Sequence, residues 1–307
     1  SRGLGDVYKR QALWLVSVKE PRSYGGEPVF AKTLQNLDNL GRLTIETPKT
    51  VVNLQLEDNL WRVMEIGNYY AGYRQINNLF NDFADARIYR RRGPATDADE
   101  KKFGLDDNAF RVITRDAGGQ ILNSVLIGKA AADNLYHFAR IEGEKDVFLI
   151  TGNFSFPKTA VSWLQQPLLS LSPADIRSLK IGQETAVRPD IIVPFKIKGK
   201  QAVPDISRYL NALGFVAAYD VRRSADFDRL QFSAPKSLTV TTFDGLVVTI
   251  EVYGRTGEEY WASLKFSTTT LPTTAVNDYI KSSAFLYEDW YFRLAPDVGR
   301  ILFNAFI

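Results

Sequence analysis

The sequence predicts an α+β protein: tandem duplicated units of antiparallel β-sheet, each with a packed amphipathic helix, and a partial third unit at the C-terminus. Three observations predict it. One helical spacing of apolar residues recurs, short runs of alternating apolar and polar residues surround it, and strand, turn and helix signals follow in the same order along two long stretches.

The helical pattern is clearest from Pro204, where Ile206, Tyr209, Leu210 and Leu213 stand at i, i+3, i+4 and i+7 and so share one face. Ile76, Leu79, Phe80 and Phe83 repeat that spacing, and Val298, Ile301, Leu302 and Ala305 repeat it again after Pro296-Asp297. Before the first copy, Leu43 and Ile45, then Val52, Leu54 and Leu56, then Leu60 and Val63 beside Trp61 read as strands, with Glu57-Asp58-Asn59 as a polar turn. After it come Arg90, Arg91 and Arg92, placed by this reading near the carbonyl end of the helix, where positive charge is favoured. A polar connector, Thr96 to Lys102, leads to Phe110, Val112 and Thr114, a turn at Asp116 to Gly119, and a return arm from Ile121 to Gly128.

The second unit repeats this order. Leu179, Ile181, Ile191 to Val193 and Phe195 to Ile197 supply strands; the helix and the pair Arg222-Arg223 follow; Leu238, Val240 and Thr242 lead through Asp244-Gly245 to an arm ending at Gly254. Tyr260 to Phe266 matches Tyr136 to Arg140. A helix from Ala275 to Phe285, the strand Trp290 to Leu294 and the last helix then read as the start of a third unit, which is expected to dock on the second to cover its apolar stripe.

At the other end, Ser1 to Gln11 has the look of translated sequencing-adapter read-through and is set aside. Ala12 to Val18, ALWLVSV, reads either as the last turns of an apolar helix or as a short buried strand, and Pro21 to Pro28 reads as a linker. The expected organisation is therefore 1–11 artefact, 12–40 remnant of a membrane anchor and linker, 41–175 first unit, 176–270 second unit and 271–307 partial repeat.

Composition narrows the chemistry. With 307 residues, 45% hydrophobic and 24% charged, the chain suits two globular domains of about 150 residues. A net charge of +3 does not by itself imply nucleic acid as a partner. The lack of cysteine excludes disulfides, thiolate nucleophiles and cysteine metal sites, and a single histidine, His137, excludes a two-histidine metal site. His137 lies in a strand-like run without a G-x-S-x-G partner, which favours a packing role. Ser155 to Lys158 and Ser233 to Lys236 match Ser-x-x-Lys, but an internal proline in each opposes the helical turn that brings amine to hydroxyl. Asp97, Asp99 and Glu100, Asp106-Asp107 and Glu258-Glu259 read as solvated carboxylates; Gly128-Lys129 and Gly199-Lys200 lack the rest of a phosphate loop. No catalytic, cofactor-binding or metal residue is assigned. The Arg90 to Arg92 cluster and Arg222-Arg223 are the candidates for an anionic partner surface, against helix-end electrostatics as the plainer explanation.

The Trp61 strand before the Ile76 to Phe83 helix, Phe103-Gly104-Leu105, the Asp116 to Gly128 hairpin and the closing Trp290-Tyr291 together resemble a bacterial family, domain of unknown function 4340 (DUF4340). The resemblance covers nearly all of Leu43 to Phe306 but rests on apolar and glycine positions, so it transfers no functional residue. It implies an inner-membrane anchor of one amino-terminal helix, with the repeated part outside the cytoplasm in the periplasm. It also implies genes set beside those of ABC-type transporters related to gliding-motility systems. The resulting expectation is a non-enzymatic, membrane-tethered envelope protein that binds or scaffolds transporter or other envelope subunits, uses no cofactor and has no nucleic-acid partner. The alternatives are an extracytoplasmic module for a glycan, peptide or lipid, bound between the units, and, ranked lowest, a hydrolase using two carboxylates.

Overall fold

A computed structural model describes residues 26–107, 109–131, 135–197, 200–201, 205–255 and 257–304. They form two compact units that divide at Leu164 and Gln165, each built on one nine-stranded antiparallel sheet with few helices.

The first sheet holds β1 (Leu40–Glu46), β2 (Val51–Glu57), β3 (Leu60–Val63), β4 (Tyr69–Tyr70), β5 (Arg87–Pro94), β6 (Phe110–Asp116), β7 (Ile121–Ala130), β8 (His137–Ile141) and β9 (Asp146–Thr151). From edge to edge its order is β4-β3-β2-β1-β6-β7-β8-β9-β5. The second holds β10 (Ile176–Ile181), β11 (Glu184–Val187), β12 (Lys196–Ile197), β13 (Lys200–Gln201), β14 (Ala218–Arg223), β15 (Lys236–Thr242), β16 (Leu246–Arg255), β17 (Glu259–Thr268) and β18 (Trp290–Leu294). Its order, β13-β12-β11-β10-β15-β16-β17-β18-β14, is the same when each strand is counted within its own unit.

Local chemistry explains the elements. Asp58 and Asn59 both take positive φ, the conformation that a tight hairpin turn demands and that these side chains tolerate. Leu238, Val240 and Thr242 alternate inward along β15. Helix α1 (Ala31–Gln35) precedes the first sheet, and α2 (Tyr73–Asp85) lays Ile76, Leu79, Phe80 and Phe83 inward. Phe83 stacks on Phe30 at 4.2 Å. Thr96 and Asp99 close a capping box at the start of α3 (Asp97–Phe103), so the expected polar connector is a helix. In the second unit α4 (Asp205–Gly214) buries Ile206, Tyr209 and Leu213. Helices α5 (Thr274–Ser283) and α6 (Pro296–Phe303) flank β18. A Cβ on Gly299 would sit 2.3 Å from Tyr260 Cβ, so glycine lets α6 approach β17 this closely.

The match between units extends to irregularities. Register shifts between Leu40 and Arg42 where β1 meets β6, and between Ile176 and Ser178 where β10 meets β15. The adjoining turns bond alike: Ala117 N–H donates to Asn39 O and Phe243 N–H donates to Asp175 O. The same registers shift the expected matching by two residues: Leu43 faces Thr114 and Leu179 faces Val240, so Phe110 matches Lys236, and since Phe110 faces Ile127 and Lys236 faces Val252, Gly128 matches Tyr253 and not Gly254.

Two expectations about organisation are overturned. β18 is no part of a third unit; it lies inside the second sheet, pairing Phe292 with Ala262 of β17 on one side and with Val221 of β14 on the other. Helix α6 follows its unit's ninth strand, whereas α2 and α4 follow the fourth, so equal apolar spacing there reports only another amphipathic helix. Nor is the stretch up to residue 40 a linker throughout. Val29 and Phe30 are buried, Pro28 bridges Arg87, and Thr33 Oγ1 lies 2.6 Å from Thr114 Oγ1. The readings of Ser1 to Gln11 and Ala12 to Val18 lie outside the described residues. Among the described residues no helix is long and apolar enough to cross a membrane.

Candidate interaction surface

The arginines singled out in the sequence sit on strands, not at helix ends. Helix α2 stops at Asp85, and the side chain at its carbonyl end is buried Arg87, which donates to Ala84 O and Ala86 O. Arg90, Arg91 and Arg92 belong to β5, and Arg222-Arg223 to β14. Each of these strands is the terminal strand at the same edge of its sheet. Edges with unpaired backbone groups are commonly protected by charge and by bulges, and both devices are present here.

The two edges are built alike. Tyr89 is the extra residue between Ile88 and Arg90 opposite β9, and Tyr219 the extra residue between Ala218 and Asp220 opposite β18; both rings are about half exposed. The first part of each edge is closed by the chain preceding that sheet. Ile88 N–H donates to Glu27 O at 2.9 Å, while Ala218 exchanges two bonds with the Gln166 side-chain amide at 3.1 and 2.7 Å. The remainder carries the exposed arginines.

Their guanidinium groups lie over aromatic rings. Arg92 is 5.4 Å from the Phe103 ring, itself stacked on Phe138 at 4.2 Å. Arg222 lies 4.6 Å over Trp261, and Arg223 4.7 Å over Trp290. Two arginines that sequence reading missed join the second surface: Arg229 over Tyr291 at 5.4 Å and Arg255 over Phe232 at 5.3 Å. No periodic signal announces either. Stacking holds the guanidinium plane and leaves its N–H edge for a carboxylate or phosphate, a binding geometry rather than a reactive one. Arg91 and Arg255 differ: Arg91 pairs with the buried carboxylate of Asp146, and Arg255 pairs with Glu259 and donates to Gln231 Oε1 at 3.3 Å, so both serve the fold.

The other candidates disperse. His137 Nδ1 is 3.4 Å from Gly128 O, and its ring meets Phe154 edge-on at 5.3 Å. Ser155 and Ser233 both lie in non-helical stretches. Asp99 is consumed by the α3 cap, whose bonds from the Thr96 side chain and then its backbone hold the carboxyl below its usual range. Glu100 pairs with Arg140, Glu258 with Arg300 at 3.2 Å, and Glu259 accepts from Trp261 and Arg255. Asp106 and Asp107 lie in the loop after α3. A Cβ on Gly128 would stand 2.4 Å from Phe103 O, so this glycine serves packing; Gly199 lies outside the described residues. Among the described residues no three His, Cys, Asp or Glu side chains are grouped to hold a metal.

In comparisons with known proteins, residues 61–202 match the family model described as Domain of unknown function (DUF4340). The match starts in β3 and runs past β13, taking in parts of both sheets. No curated protein and no solved structure matches the chain.

Proposed function

Residues 61–202 being DUF4340 sequence, we propose that the chain is the folded part of a non-enzymatic, membrane-tethered protein of the cell envelope, where it binds or scaffolds subunits of an ABC-type transport system. The observation that supports a binding role is the arginine-bearing terminal strand present in both units, with its guanidinium groups poised on aromatic rings. Such a surface selects an anionic macromolecule by charge and geometry, and electrostatics of this kind govern encounter and partner choice. The transporter, the tether and the extracytoplasmic address come from the family resemblance.

We also read the two units as copies of one ancestral segment. Shared strand order, matched register shifts and the paired Tyr89 and Tyr219 bulges support this reading.

The test is recovery of the tethered protein from native membranes with its gene neighbours. Transporter subunits are expected in the eluate and are expected to be lost on reversing Arg90, Arg92, Arg222 and Arg223 to glutamate. Repeated recovery without any transporter subunit refutes the proposal. Capture that survives the reversal moves the binding role away from these strands. Arg91 is left unchanged because of its pairing with Asp146.

A further inference from the structure

The second unit carries a feature that the first lacks. Between β2 and β3 the first unit has a two-residue turn, Asp58-Asn59, whereas the corresponding link from β11 to β12 runs from Arg188 to Phe195. That longer link breaks the usual chemistry of an exposed turn. Val193 N–H donates to Asp190 O at 3.2 Å, which puts Ile191 and Ile192 at the corners, where small or polar residues are the rule. Ile192 is 88% exposed and Ile191 50%.

The exposure is held in place. Arg188 is buried, and its guanidinium donates to Ile176 O at 2.8 Å, Ile191 O at 3.0 Å and Ala174 O at 3.0 Å, and also to Pro173 O. It lies over Phe195 at 4.5 Å and Phe243 at 5.6 Å. A buried cation that bridges the 173–176 stretch and the loop at Ile191 fixes the loop against the start of β10. Ile191 and Phe243 share a cleft of about 490 Å³ with Asp175, Asp190 and Asp244. Beside the same hairpin, Thr269 N–H bonds Gly245 O and Thr273 N–H bonds Asp244 O, and the turn between them exposes Leu271 to 90%. Apolar side chains displayed this fully on a pinned loop gain nothing for the fold, and rules broken locally without compensation mark functional surface.

We infer that the Arg188–Phe195 loop, with Phe243 and Leu271, is a docking surface for a protein segment that combines apolar side chains with lysine or arginine. The apolar residues supply the contact, and the three aspartates at its margin set the sign of the partner. Arg188 is saturated by carbonyl groups, so its charge faces inward. A membrane surface rich in anionic lipid is repelled by the same aspartates. This surface is distinct from the arginine-bearing strands, and its test does not depend on the transporter proposal.

The experiment uses the full chain and three probes: a fluorescent amidated peptide of alternating lysine and leucine, its glutamate-leucine counterpart, and phosphatidylcholine vesicles. The lysine peptide is expected to bind, and Ile192→Ser with Leu271→Ser is expected to weaken it by about tenfold or more, from the lost burial of two aliphatic side chains. Both side chains are almost wholly exposed, so the melting midpoint should not move. Asp175→Asn should weaken the same peptide and reduce the salt dependence of binding. Three results overturn the inference: equal binding of the glutamate peptide, undiminished binding by the serine variant, or no binding of the lysine peptide. Capture of wild-type protein by vesicles, lost in the serine variant, overturns it in favour of a lipid-inserting tip.

Discussion

The two units share one strand order but differ in what joins the strands. Where β8 turns directly into β9, the second unit places α5 between β17 and β18; where α3 links β5 to β6, the second unit uses short 3-10 turns that bring Phe227 and Phe232 onto the sheet. The hydrogen-bonded lattice varies less: β6–β7 and β7–β8 carry register shifts that β15–β16 and β16–β17 lack, but the strand order is kept. A one-residue slip turns every side chain of a strand to the other face, so the matched pairs Val112 opposite Val125 and Leu238 opposite Ile250 keep their faces. Connections carry no such constraint, and there the units acquire different surfaces.

The sharpest way to break the comparison is to remove β18. If it occupies in the second sheet the place β9 holds in the first, ending the chain at Asp289 strips the partner from β14 and from part of β17. The second unit should then fail to fold while the first keeps its dispersed NMR resonances. A folded second unit in the truncated chain would restore the picture of a dispensable third segment.

A smaller effect tests the matched helices. Phe83 and Leu213 are fully buried at corresponding positions of α2 and α4. Phe83→Ala should cost about 3–5 kcal/mol and Leu213→Ala about 2–5 kcal/mol in urea unfolding, each confined to its own unit's transition. Equal loss in both transitions after one substitution would mean that the units do not unfold separately.

These helices were legible because their signal is local: four apolar residues within two turns suffice. The hairpin turns at Asp58-Asn59 and Asp244-Gly245 were legible for the same reason. Strand order was not, since nothing around Arg90 or Arg222 says that the strand bearing it lies at an edge, a fact fixed by partners far along the chain. The place of β18 is hidden for the same reason, since its partners β14 and β17 precede it across long connections. Two-residue strands such as β4 and β12 are too short to show alternation. Helix α3 buries no residue and so has no apolar stripe; only Thr96-x-x-Asp99 marked it. Ile191 to Val193 read as a strand in the sequence, because apolar residues in a row are ambiguous until their exposure is known.

A pH experiment sharpens the helix comparison. The same match sets Asp82 of α2, directly before Phe83, against Ala212 of α4, which is buried. Burial, and then the charge of Asp85, push the Asp82 carboxyl up from 3.8 to about 7. The folded chain therefore holds a proton that the unfolded chain releases at lower pH. Its stabilising effect is complete below about 3.8 and is lost as pH rises through about 7. Asp82→Ala should abolish that slope and leave the first unit more stable than wild type at pH 8. An unchanged slope in denaturant unfolding would show that Asp82 is solvated and that the likeness to Ala212 ends at the backbone.

The smallest effect concerns the connection in which the units differ most. Thr96 Oγ1 accepts from Asp99 N–H at 3.2 Å, and the Asp99 carboxylate accepts from Thr96 N–H at 3.2 Å and from its hydroxyl at 2.8 Å. Removing such a cap costs about 1 kcal/mol. Because α3 buries nothing, that loss should appear as fraying of the helix rather than as a shift of the sheet. Thr96→Ala should speed amide exchange at Glu100 to Phe103 and spare β6 and β7. Faster exchange along β6 as well would mean that α3 braces the sheet through Phe103 stacked on Phe138, making it the first unit's equivalent of the Phe227 cluster on the second.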